Sequence, residues 1–480
     1  MKKCTLIIKD EVNIKFEGLD INTRRKLKQK LEFFIPHARH TPAYKLGRWD
    51  GKVSFCDIGA RSYLNLLDKL IPIVQSEGYD IDIDDRRVGR EYTFDEVVDT
   101  SYSHIPWPED HPKAGEPIVL RDYQANIINN CLRQPQSLVI CPTAGGKTIC
   151  CAILSHKAEA YGRSVVIVPT KDLVTQTEED YINLGLDVGV YYGDRKEWGK
   201  THTICTWQSL DVLDKAKGGA IDEFLEGVAC VIVDECHKAK ADVLRRILSG
   251  SLGKVALRWG LTGTLPEEDH EKVAVLATIG EVSKVITAVE LQDKGYLSNL
   301  HIDIIQTQDV APLFDGYQSE LKWLVTDKKR IQFLADHIQE NIVESGNTLI
   351  LVDRVETGKK LEESIPDSVF IYSQVKSKDR KTEYKSAQKQ DNKVFIATYG
   401  VASTGINIPR IFNLVLIEPG KSFVRVIQSI GRGLRIAKDK DFVNVYDITA
   451  NCKFSKRHLA KRKQFYRNAE YPHKVNKVSY

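Results

Sequence analysis

The chain has 480 residues and a formal net charge of +4; 42% of its residues are hydrophobic and 28% are charged. That length predicts roughly three domains, and the composition is typical of a globular protein with an apolar core. The net charge alone does not indicate a nucleic-acid partner, so local clustering of basic residues must decide that point.

Targeting and metal signals exclude several classes of protein. Ten cysteines occur without a C-x-x-C pair, which argues against a zinc site or a disulfide framework. Free thiols in this number are typical of a reducing compartment. The N-terminal apolar run is too short for a signal peptide, and no apolar stretch reaches about 18 residues. We therefore expect a cytoplasmic protein that does not span a membrane.

Residues 1–105 predict a small α/β domain. The stretch CTLIIKDEVNIKFEG alternates like a β-hairpin, and DINTRRKLKQKLEFF begins with cap-type residues and continues as a basic helix. Trp49-Asp50-Gly51 predicts a turn between strands, with Trp49 in the core. Four prolines follow, which predicts a linker because proline interrupts both helices and sheets; they are Pro106, Pro108, Pro112 and Pro117.

From Ile118 onward, short apolar runs alternate with helical patterns. Runs such as SLVICP, SVVIVPT and ACVIVDE lack period-two alternation, which indicates strands buried on both faces, as in parallel sheets covered by helices. A second set of such runs begins after Gly295. We predict two parallel α/β domains in tandem, over residues 106–295 and 296–450, followed by a basic tail over residues 451–480.

The stretch CPTAGGKT, Cys141–Thr148, lies between a predicted strand and a predicted helix. Glycines at such a turn let backbone N–H groups and the helix N-terminus hold phosphate oxygens. Lys147 would then reach the β- and γ-phosphates, and Thr148 would ligate Mg²⁺. The first position is Cys141, where the usual phosphate loop has glycine.

A second motif supplies the carboxylates that phosphoryl transfer requires. The stretch CVIVDECHKA places Asp234 and Glu235 at the end of an apolar strand. Asp234 can bind Mg²⁺, and Glu235 can accept a proton from an attacking water. An ATP-hydrolysing site with Mg²⁺ is the prediction.

Several motifs, taken in order, resemble those of superfamily 2 helicases. PTAGGKT, DECH, LTGTL (Leu261–Leu265) and QSIGRGLR (Gln428–Arg435) are similar to motifs I, II, III and VI of that superfamily. RDYQ resembles the adenine-reading Q-motif, and four further stretches resemble motifs Ia, Ib, IV and V. The resemblance implies two RecA-like domains, ATP as cofactor, and a first position of motif I that need not be glycine.

The resemblance also implies roles for individual residues. Gln428, Arg432 and Arg435 would contact the γ-phosphate or its attacking water, and Thr262 and Thr264 would couple the site to nucleic acid. The implied nucleotide-binding residues are Arg121, Gln124, Thr143, Ala144, Gly145, Gly146, Lys147, Thr148 and Gly405. The implied contacts with a nucleic-acid backbone are Thr170, Lys171, Thr206, Gln208, Arg354, Thr398 and Ser403.

Basic residues cluster near both ends of the chain. Arginines and lysines crowd the stretch 24–52, and the tail interleaves basic residues with Phe454, Phe465 and Tyr466. Such mixtures suit phosphate neutralisation and base stacking, although a charge run is also typical of a solvated face. Lys461, Arg462 and Lys463 are the tail residues that we expect to bind DNA.

The N-terminal domain, the RWDG turn and the motif set resemble the UvsW-type phage helicases, which are related to XPB-like motors. That resemblance implies a DNA branch-migration motor acting on forks, R-loops or Holliday-type junctions in replication, recombination and repair. Nothing in the sequence requires more than a monomer, so we expect one. A phage-encoded member would work in the host cell cytoplasm. Two alternatives remain open at this point: an RNA helicase, and a non-catalytic nucleic-acid clamp.

Overall fold

The computed structural model describes residues 2–109, 113–216, 218–236, 241–266, 268–343, 346–372, 392–405, 410–420 and 442–480, of which residues 241 and 403–405 are described by backbone alone. The chain divides into two compact units. The first comprises Met1–Cys141 and Gly146–Val285, and the second comprises Pro142–Gly145 and Ile286–Tyr480. No helix in the described ranges has both the length and the apolar character that crossing a membrane requires.

The first unit begins with a four-stranded sheet in the order β5-β2-β1-β6 and a separate pair, β3-β4. The predicted hairpin is present, because β1 and β2 pair antiparallel with Leu6 opposite Phe16. The predicted basic helix is α1, which begins after Asp20, whose carboxylate accepts the N–H of Thr23 at 2.8 Å. The strands are β1 Lys2–Ile8, β2 Asn13–Glu17, β3 Glu32–Phe34, β4 Lys52–Ser54, β5 Arg61–Tyr63 and β6 Tyr79–Asp85, and the helices are α1 Ile21–Lys30, α2 Pro42–Lys45 and α3 Leu67–Ser76.

One sequence expectation for this region is wrong. Trp49 lies just before β4 and is only partly buried; its indole N–H donates to the carbonyl of Lys52 at 2.9 Å, so it closes a surface turn and lies outside the core. The described residues of the proline-rich segment form no helix or strand, as proline density predicts. The N–H of Trp107 donates to the carbonyl of Glu116 at 2.8 Å, so these two residues lie side by side.

The N-terminal sheet packs directly on the larger sheet of the first unit. Val273, Ala274 and Ala277, which belong to a helix of the larger sheet, lie in the same apolar core as the N-terminal strands. The turn between β1 and β2 adds polar contacts, since the side-chain amide of Asn13 donates to the carbonyl of Ser249 at 2.7 Å. A shared core fixes this domain to the sheet beside it.

The larger sheet of the first unit has eight strands in the order β10-β9-β11-β8-β12-β13-β7-β14. All of its pairings are parallel except β9 with β10, and every residue of β13 is buried, as the uninterrupted apolar runs predicted. The strands are β7 Gln136–Ile140, β8 Arg163–Val168, β9 Val188–Tyr192, β10 Arg195–Lys196, β11 His202–Thr206, β12 Val228–Asp234, β13 Leu257–Thr262 and β14 Val282–Val285. The helices are α4 Asp122–Arg133, α5 Lys147–Ala158, α6 Lys171–Asn183, α7 Trp207–Lys215, α8 Ala220–Phe224, α9 Ala241–Ser249 and α10 Asp269–Ile279.

The second unit contains a seven-stranded sheet in the order β17-β18-β16-β19-β20-β15-β21. The last thirty residues, expected as a basic tail, include a helix and the edge strand β21, which pairs parallel with β15. The strands are β15 Asn299–Thr307, β16 Asn347–Val352, β17 Val369–Ile371, β18 Val394–Thr398, β19 Ile411–Ile417, β20 Phe442–Ala450 and β21 His473–Val478. The helices are α11 Ala288–Asp293, α12 Tyr317–Thr326, α13 Lys328–Asn341, α14 Val355–Ser364, α15 Tyr399–Gly405 and α16 Lys453–Asn468.

The two large sheets have the same topology. If the parallel strands of each sheet are numbered along the chain from β7 and from β15, both sheets read 3-4-2-5-6-1-7 across. Strand β7 therefore corresponds to β15, β12 to β19, and β13 to β20. This confirms the predicted fold of two tandem parallel-sheet domains, and it gives each functional loop of the first sheet a structural counterpart in the second.

Candidate nucleotide-binding site

The glycine-rich turn follows β7, the first strand of its sheet. Ala144 and Gly146 have φ angles of 68° and 74°, and the N–H of Gly145 donates to the carbonyl of Pro142 at 3.0 Å. Left-handed residues in a turn aim backbone N–H groups into one concavity, which is the geometry that holds a phosphate. The predicted phosphate loop therefore has the backbone shape that its chemistry needs.

The backbone of Gly146 lies against the side-chain amide of Gln124. A side chain at Gly146 would place its Cβ only 2.3 Å from the Nε2 atom of Gln124, so the Gln124 amide would have to move, and the φ of 74° also favours glycine. The Oε1 atom of Gln124 accepts the N–H of Arg121 at 2.9 Å, which fixes the amide in the first turn of α4. The guanidinium of Arg121 donates to the hydroxyl of Tyr123 at 2.9 Å. The structure thus brings the RDYQ stretch against the phosphate loop.

Lys147 is buried and paired with a carboxylate. Its Nζ atom lies 3.2 Å from Oε1 of Glu235 and donates to the carbonyl of Cys141 at 3.3 Å. Burial on its own lowers the pKa of Lys147, but the carboxylates of Glu235 and Asp234 outweigh it and raise that pKa to about 12. The lysine is therefore a fixed positive charge beside the turn.

The two carboxylates of DECH lie at the end of β12. The N–H of Glu235 donates both to the carbonyl of Leu261 at 2.8 Å and to Oδ1 of Asp234 at 2.9 Å. Glu235 has a φ of 51°. This left-handed backbone conformation is energetically unfavourable for any residue other than glycine. Strained residues of this kind cluster at functional sites, and here the strain accompanies the ion pair with Lys147.

The LTGTL stretch joins the same strand ends. The N–H of Cys141 donates to the carbonyl of Thr262 at 2.8 Å, and the hydroxyl of Thr262 donates to the carbonyl of Thr264 at 2.8 Å. The N–H of Gly263 lies 3.5 Å from Oε2 of Glu235. Cys141 is thus a buried ladder residue, where a side chain is tolerated, and burial raises the pKa of its thiol to about 11.

The hydrogen-bond donors of this site fit a nucleoside triphosphate. The hydroxyl oxygens of Thr143 and Thr264 are buried and have no hydrogen-bond partner within the described residues. Buried hydroxyls without partners carry a desolvation cost that a phosphate oxygen or water can remove. Together with the concave turn and the Lys147 ammonium, they make a site for a polyanion.

The predicted backbone-binding residues of the first unit lie at two neighbouring strand ends. Thr170 and Lys171 follow β8, and Thr206 and Gln208 lie at the end of β11, the strand beside it. Both threonine hydroxyls cap the helices that follow, accepting N–H groups of residues three positions later. The amide of Gln208 donates to the carbonyl of Pro169 at 3.4 Å, while Lys171 is exposed. The structure brings all four to one edge of the sheet.

The second unit shows the same arrangement at its own sheet edge. Arg354 follows β16 and Thr398 ends β18, the strand beside it. Arg354 is exposed and its Nε lies 3.3 Å from Asp353, while Thr398 accepts the N–H of Val401 at 3.4 Å. Ser403 and Gly405 lie on α15, described by backbone alone. The predicted catalytic residues Gln428, Arg432 and Arg435 lie outside the described residues.

The prediction that Arg462 binds DNA is wrong. Its side chain is buried: Nε and Nη2 contact the carboxylate of Asp447 at 2.8 and 2.9 Å, and Nη1 donates to the carbonyl of Gly420 at 2.5 Å. The hydroxyl of Tyr466 donates to the same carboxylate at 2.8 Å. Phe465 is buried too, so it and Tyr466 cannot stack on bases. Lys461 is exposed and Lys463 is half-exposed.

A buried charge cluster in the second unit was not predicted from the sequence. Arg330 contacts Oδ1 of Asp309 at 2.9 Å through Nε and Oε1 of Glu418 at 2.8 Å through Nη2. Glu418 follows β19, has a φ of 44°, and its N–H donates to the carbonyl of Ile448 at 3.0 Å. One feature of the sequence could have indicated it: Asp309 comes two residues after the apolar strand β15, and Glu418 comes directly after the apolar strand β19.

Comparison with known proteins points to one family. A model described as the res subunit of type III restriction enzymes matches residues 117–267, and a helicase conserved C-terminal domain matches residues 329–437. The ATP-dependent DNA helicase uvsW of Enterobacteria phage T4 is 25% identical over 89% of this chain and 87% of its own. The DNA 3'-5' translocase XPB2 of Sulfurisphaera tokodaii is 28% identical over 47% of this chain and 49% of its own.

A solved structure shows the same fold at lower identity. A fragment of a putative HsdR subunit of a type I restriction enzyme from Vibrio vulnificus superposes with a TM-score of 0.56 at 17% identity, over 97% of this chain and 85% of that one. The two matched domains, the T4 relative and the motif geometry agree. The chain carries both matched domains and is a superfamily 2 helicase that is similar to the uvsW helicase of phage T4.

Proposed function

We propose that the chain is an ATP-dependent DNA helicase or translocase that remodels branched DNA such as forks, R-loops and Holliday-type junctions. The observation that carries this proposal is the buried pair of Lys147 and Glu235, 3.2 Å apart, beside a left-handed phosphate loop. The likeness to the T4 helicase over most of both chains supports DNA as the track.

The ion pair of Lys147 and Glu235 suggests how binding and hydrolysis are linked. Bound ATP supplies the γ-phosphoryl group whose transfer to water releases free energy. When phosphate oxygens take up the Lys147 ammonium, Glu235 loses its partner and becomes available as a general base. The ion pair thus keeps the Glu235 carboxylate engaged until the phosphates of ATP bind the Lys147 ammonium. Asp234 and Thr148 would hold Mg²⁺, which binds by few protein oxygens together with phosphates.

The remaining predicted residues complete the proposal. Gln428, Arg432 and Arg435 would stabilise charge on the transferred phosphoryl group, as arginines do in related phosphoryl-transfer enzymes. Arg121, Gln124 and Gly405 would contact the nucleotide. Polar residues at the two sheet edges would contact a DNA backbone without reading its sequence. We also propose a monomer, with domains at residues 1–105, 106–295, 296–450 and 451–480.

ATP turnover measured on a panel of nucleic acids tests this function. Fork and four-way-junction DNA, linear duplex, single-stranded DNA and RNA are compared at one salt concentration. The proposal predicts the largest stimulation by branched DNA. Greater stimulation by RNA would favour an RNA helicase, and no turnover on any substrate would favour a non-catalytic clamp.

A further inference from the structure

The loop after β15 exposes apolar side chains to solvent. Val310 is 96% exposed and Leu313 is 103% exposed relative to an extended reference, and Pro312 between them is exposed as well. Most exposed apolar residues on a protein surface are scattered singly, whereas a contiguous group marks an interaction site. Nothing in the described part of the chain covers these side chains.

Both ends of this loop are firmly anchored. On one side, Asp309 is buried against Arg330, and its N–H donates to Oδ1 of Asn451 at 3.1 Å. On the other side, Phe314 packs against the ring of Trp323 and the small core that contains Leu324. The exposed residues therefore project from a rigid base, which limits the entropy that they lose when they contact a partner.

The position of the loop has a counterpart in the first unit. Strand β15 corresponds to β7, so the loop Asp309–Gly316 takes the place of the phosphate loop. It has no glycine-lysine turn, and the nearest buried cation, Arg330, is already paired with Asp309 and Glu418. This loop thus lacks the groups that hold a phosphate and offers apolar side chains in their place.

The surface beside the loop is basic and aromatic. Tyr317 packs against Phe454 and His458 with ring centroids 6.1 and 4.9 Å apart. The Glu320 carboxylate accepts the N–H groups of Phe454 and Ser455 at 2.9 and 2.8 Å, which ties α12 to the start of α16. Lys453 and Arg457 lie over the ring of Phe454, 5.7 and 5.8 Å from its centroid. Lys322 on α12 and Lys456 on α16 are exposed as well, and Asp315 is the exposed carboxylate of the loop.

We propose that the loop Val310–Leu313 is an apolar wedge that inserts between bases where two DNA strands separate. The inference rests on the proposed function and adds the element that opens the duplex. Leucine, proline and other apolar side chains insert between base steps in DNA-bending proteins and partly unstack the two bases. The cations beside the loop would hold the phosphates that flank the opened step.

The sheet places the wedge beside the proposed DNA track. The carboxyl ends of β16 and β18, where Arg354 and Thr398 lie, face the same edge as the end of β15. Strand β15 lies three strand positions from β16, which at about 4.8 Å per strand is about 14 Å. A DNA strand that leaves the proposed backbone contacts would cover this distance in about four base steps, at about 3.4 Å per step.

A double substitution tests the wedge while sparing the fold. Val310→Ser with Leu313→Ser removes the apolar tips, and their exposure leaves the core unchanged. We expect strand separation on a forked duplex to slow at least about tenfold, the equivalent of about 1.4 kcal/mol, while DNA-stimulated ATP turnover stays within twofold. Ile182→Ser, at an apolar side chain 57% exposed near the end of α6, is the matched control and should leave both unchanged.

A cross-link locates the loop on the DNA. All ten native cysteines are buried, so Leu313→Cys adds a thiol that alone is exposed. The probe is a base at the fork junction whose tether ends in a mixed disulfide, so that the thiolate introduced by Leu313→Cys attacks the tether sulfur and a small thiol leaves. We expect this exchange to be at least about tenfold faster than with Ile182→Cys or with the same base placed 10 pairs into the duplex.

The outcomes separate this inference from the proposed function. If the wild-type chain shows no DNA-stimulated ATP turnover, the proposed function fails. If turnover is present but the double variant separates strands at the wild-type rate, or Leu313→Cys shows no preference for the junction, the wedge is overturned. A protein partner that binds the wild type and not the double variant, with strand separation intact, would likewise overturn it and assign the loop to protein binding.

Discussion

The two parallel sheets hold a glutamate at the same place and in the same way, yet the loops beside the two glutamates differ. Glu235 follows β12 and Glu418 follows β19, and both have positive φ angles and donate their N–H to the neighbouring strand. Each pairs with a buried cation, Lys147 at 3.2 Å and Arg330 at 2.8 Å.

The difference lies in what each cation can still do. Lys147 is ion-paired with Glu235 and lies at the start of α5, beside a turn that can hold phosphate. Arg330 is shared between Asp309 and Glu418 and also donates to the carbonyl of Leu324 at 3.0 Å. We infer that one strand arrangement supports an exchangeable ion pair in the first unit, where catalysis is proposed, and a permanent brace in the second.

Removing Lys147 gives the largest expected effect. In Lys147→Ala, DNA-stimulated ATP turnover should fall on the order of a thousandfold, because the main cation of the phosphate site is lost. Steady-state turnover on forked DNA measures it, with Lys254→Ala, at an exposed lysine of the first unit outside the proposed sites, as control. Turnover within tenfold of the wild type would place the nucleotide elsewhere.

Removing Arg330 should damage stability instead. Arg330→Ala leaves Asp309 and Glu418 buried without their cation, a kind of change that costs about 3–5 kcal/mol. Urea unfolding followed by tryptophan fluorescence measures the loss, and Lys328→Ala, an exposed lysine on the same helix, should change stability by less than about 0.5 kcal/mol. An equal effect of the two variants would show that the cluster is not a brace.

Glu235→Gln should separate binding from hydrolysis. The amide keeps the size of the side chain but cannot accept a proton, so hydrolysis should slow by at least about a hundredfold. ATP should still raise the melting temperature of the variant. Glu226→Gln, at an exposed carboxylate of the first unit, serves as control. Wild-type hydrolysis by Glu235→Gln would remove Glu235 from the role of base.

The C-terminal helix gives the smallest expected effect. Lys461→Ala with Lys463→Ala should weaken DNA binding and lower the slope of log affinity against log salt by about one per lost phosphate contact. Arg462 is left intact because its loss would expose the Asp447 carboxylate to an apolar core. Gln464→Ala is the neutral control, and an unchanged slope would assign these lysines to a solvated face.

The fold was predictable because strands that are buried on both faces appear in the sequence as uninterrupted apolar runs. The site was predictable because β7 is followed by the glycine-lysine turn and β12 ends at the paired carboxylates Asp234 and Glu235. Sequence prediction failed where burial depends on tertiary contacts. Arg462 belongs to a basic run, yet its spacing from Leu459 and Tyr466 places it on the buried face of α16. Asp309, Arg330 and Glu418 lie far apart in the chain, so no local pattern could bring them together.

The most direct test compares ATP turnover and strand separation on one forked DNA for two variants, Lys147→Ala and the pair Val310→Ser with Leu313→Ser. The account predicts that the first variant loses both activities and that the second loses strand separation alone. Retained turnover in Lys147→Ala, or a parallel loss of turnover in the loop variant, would contradict it.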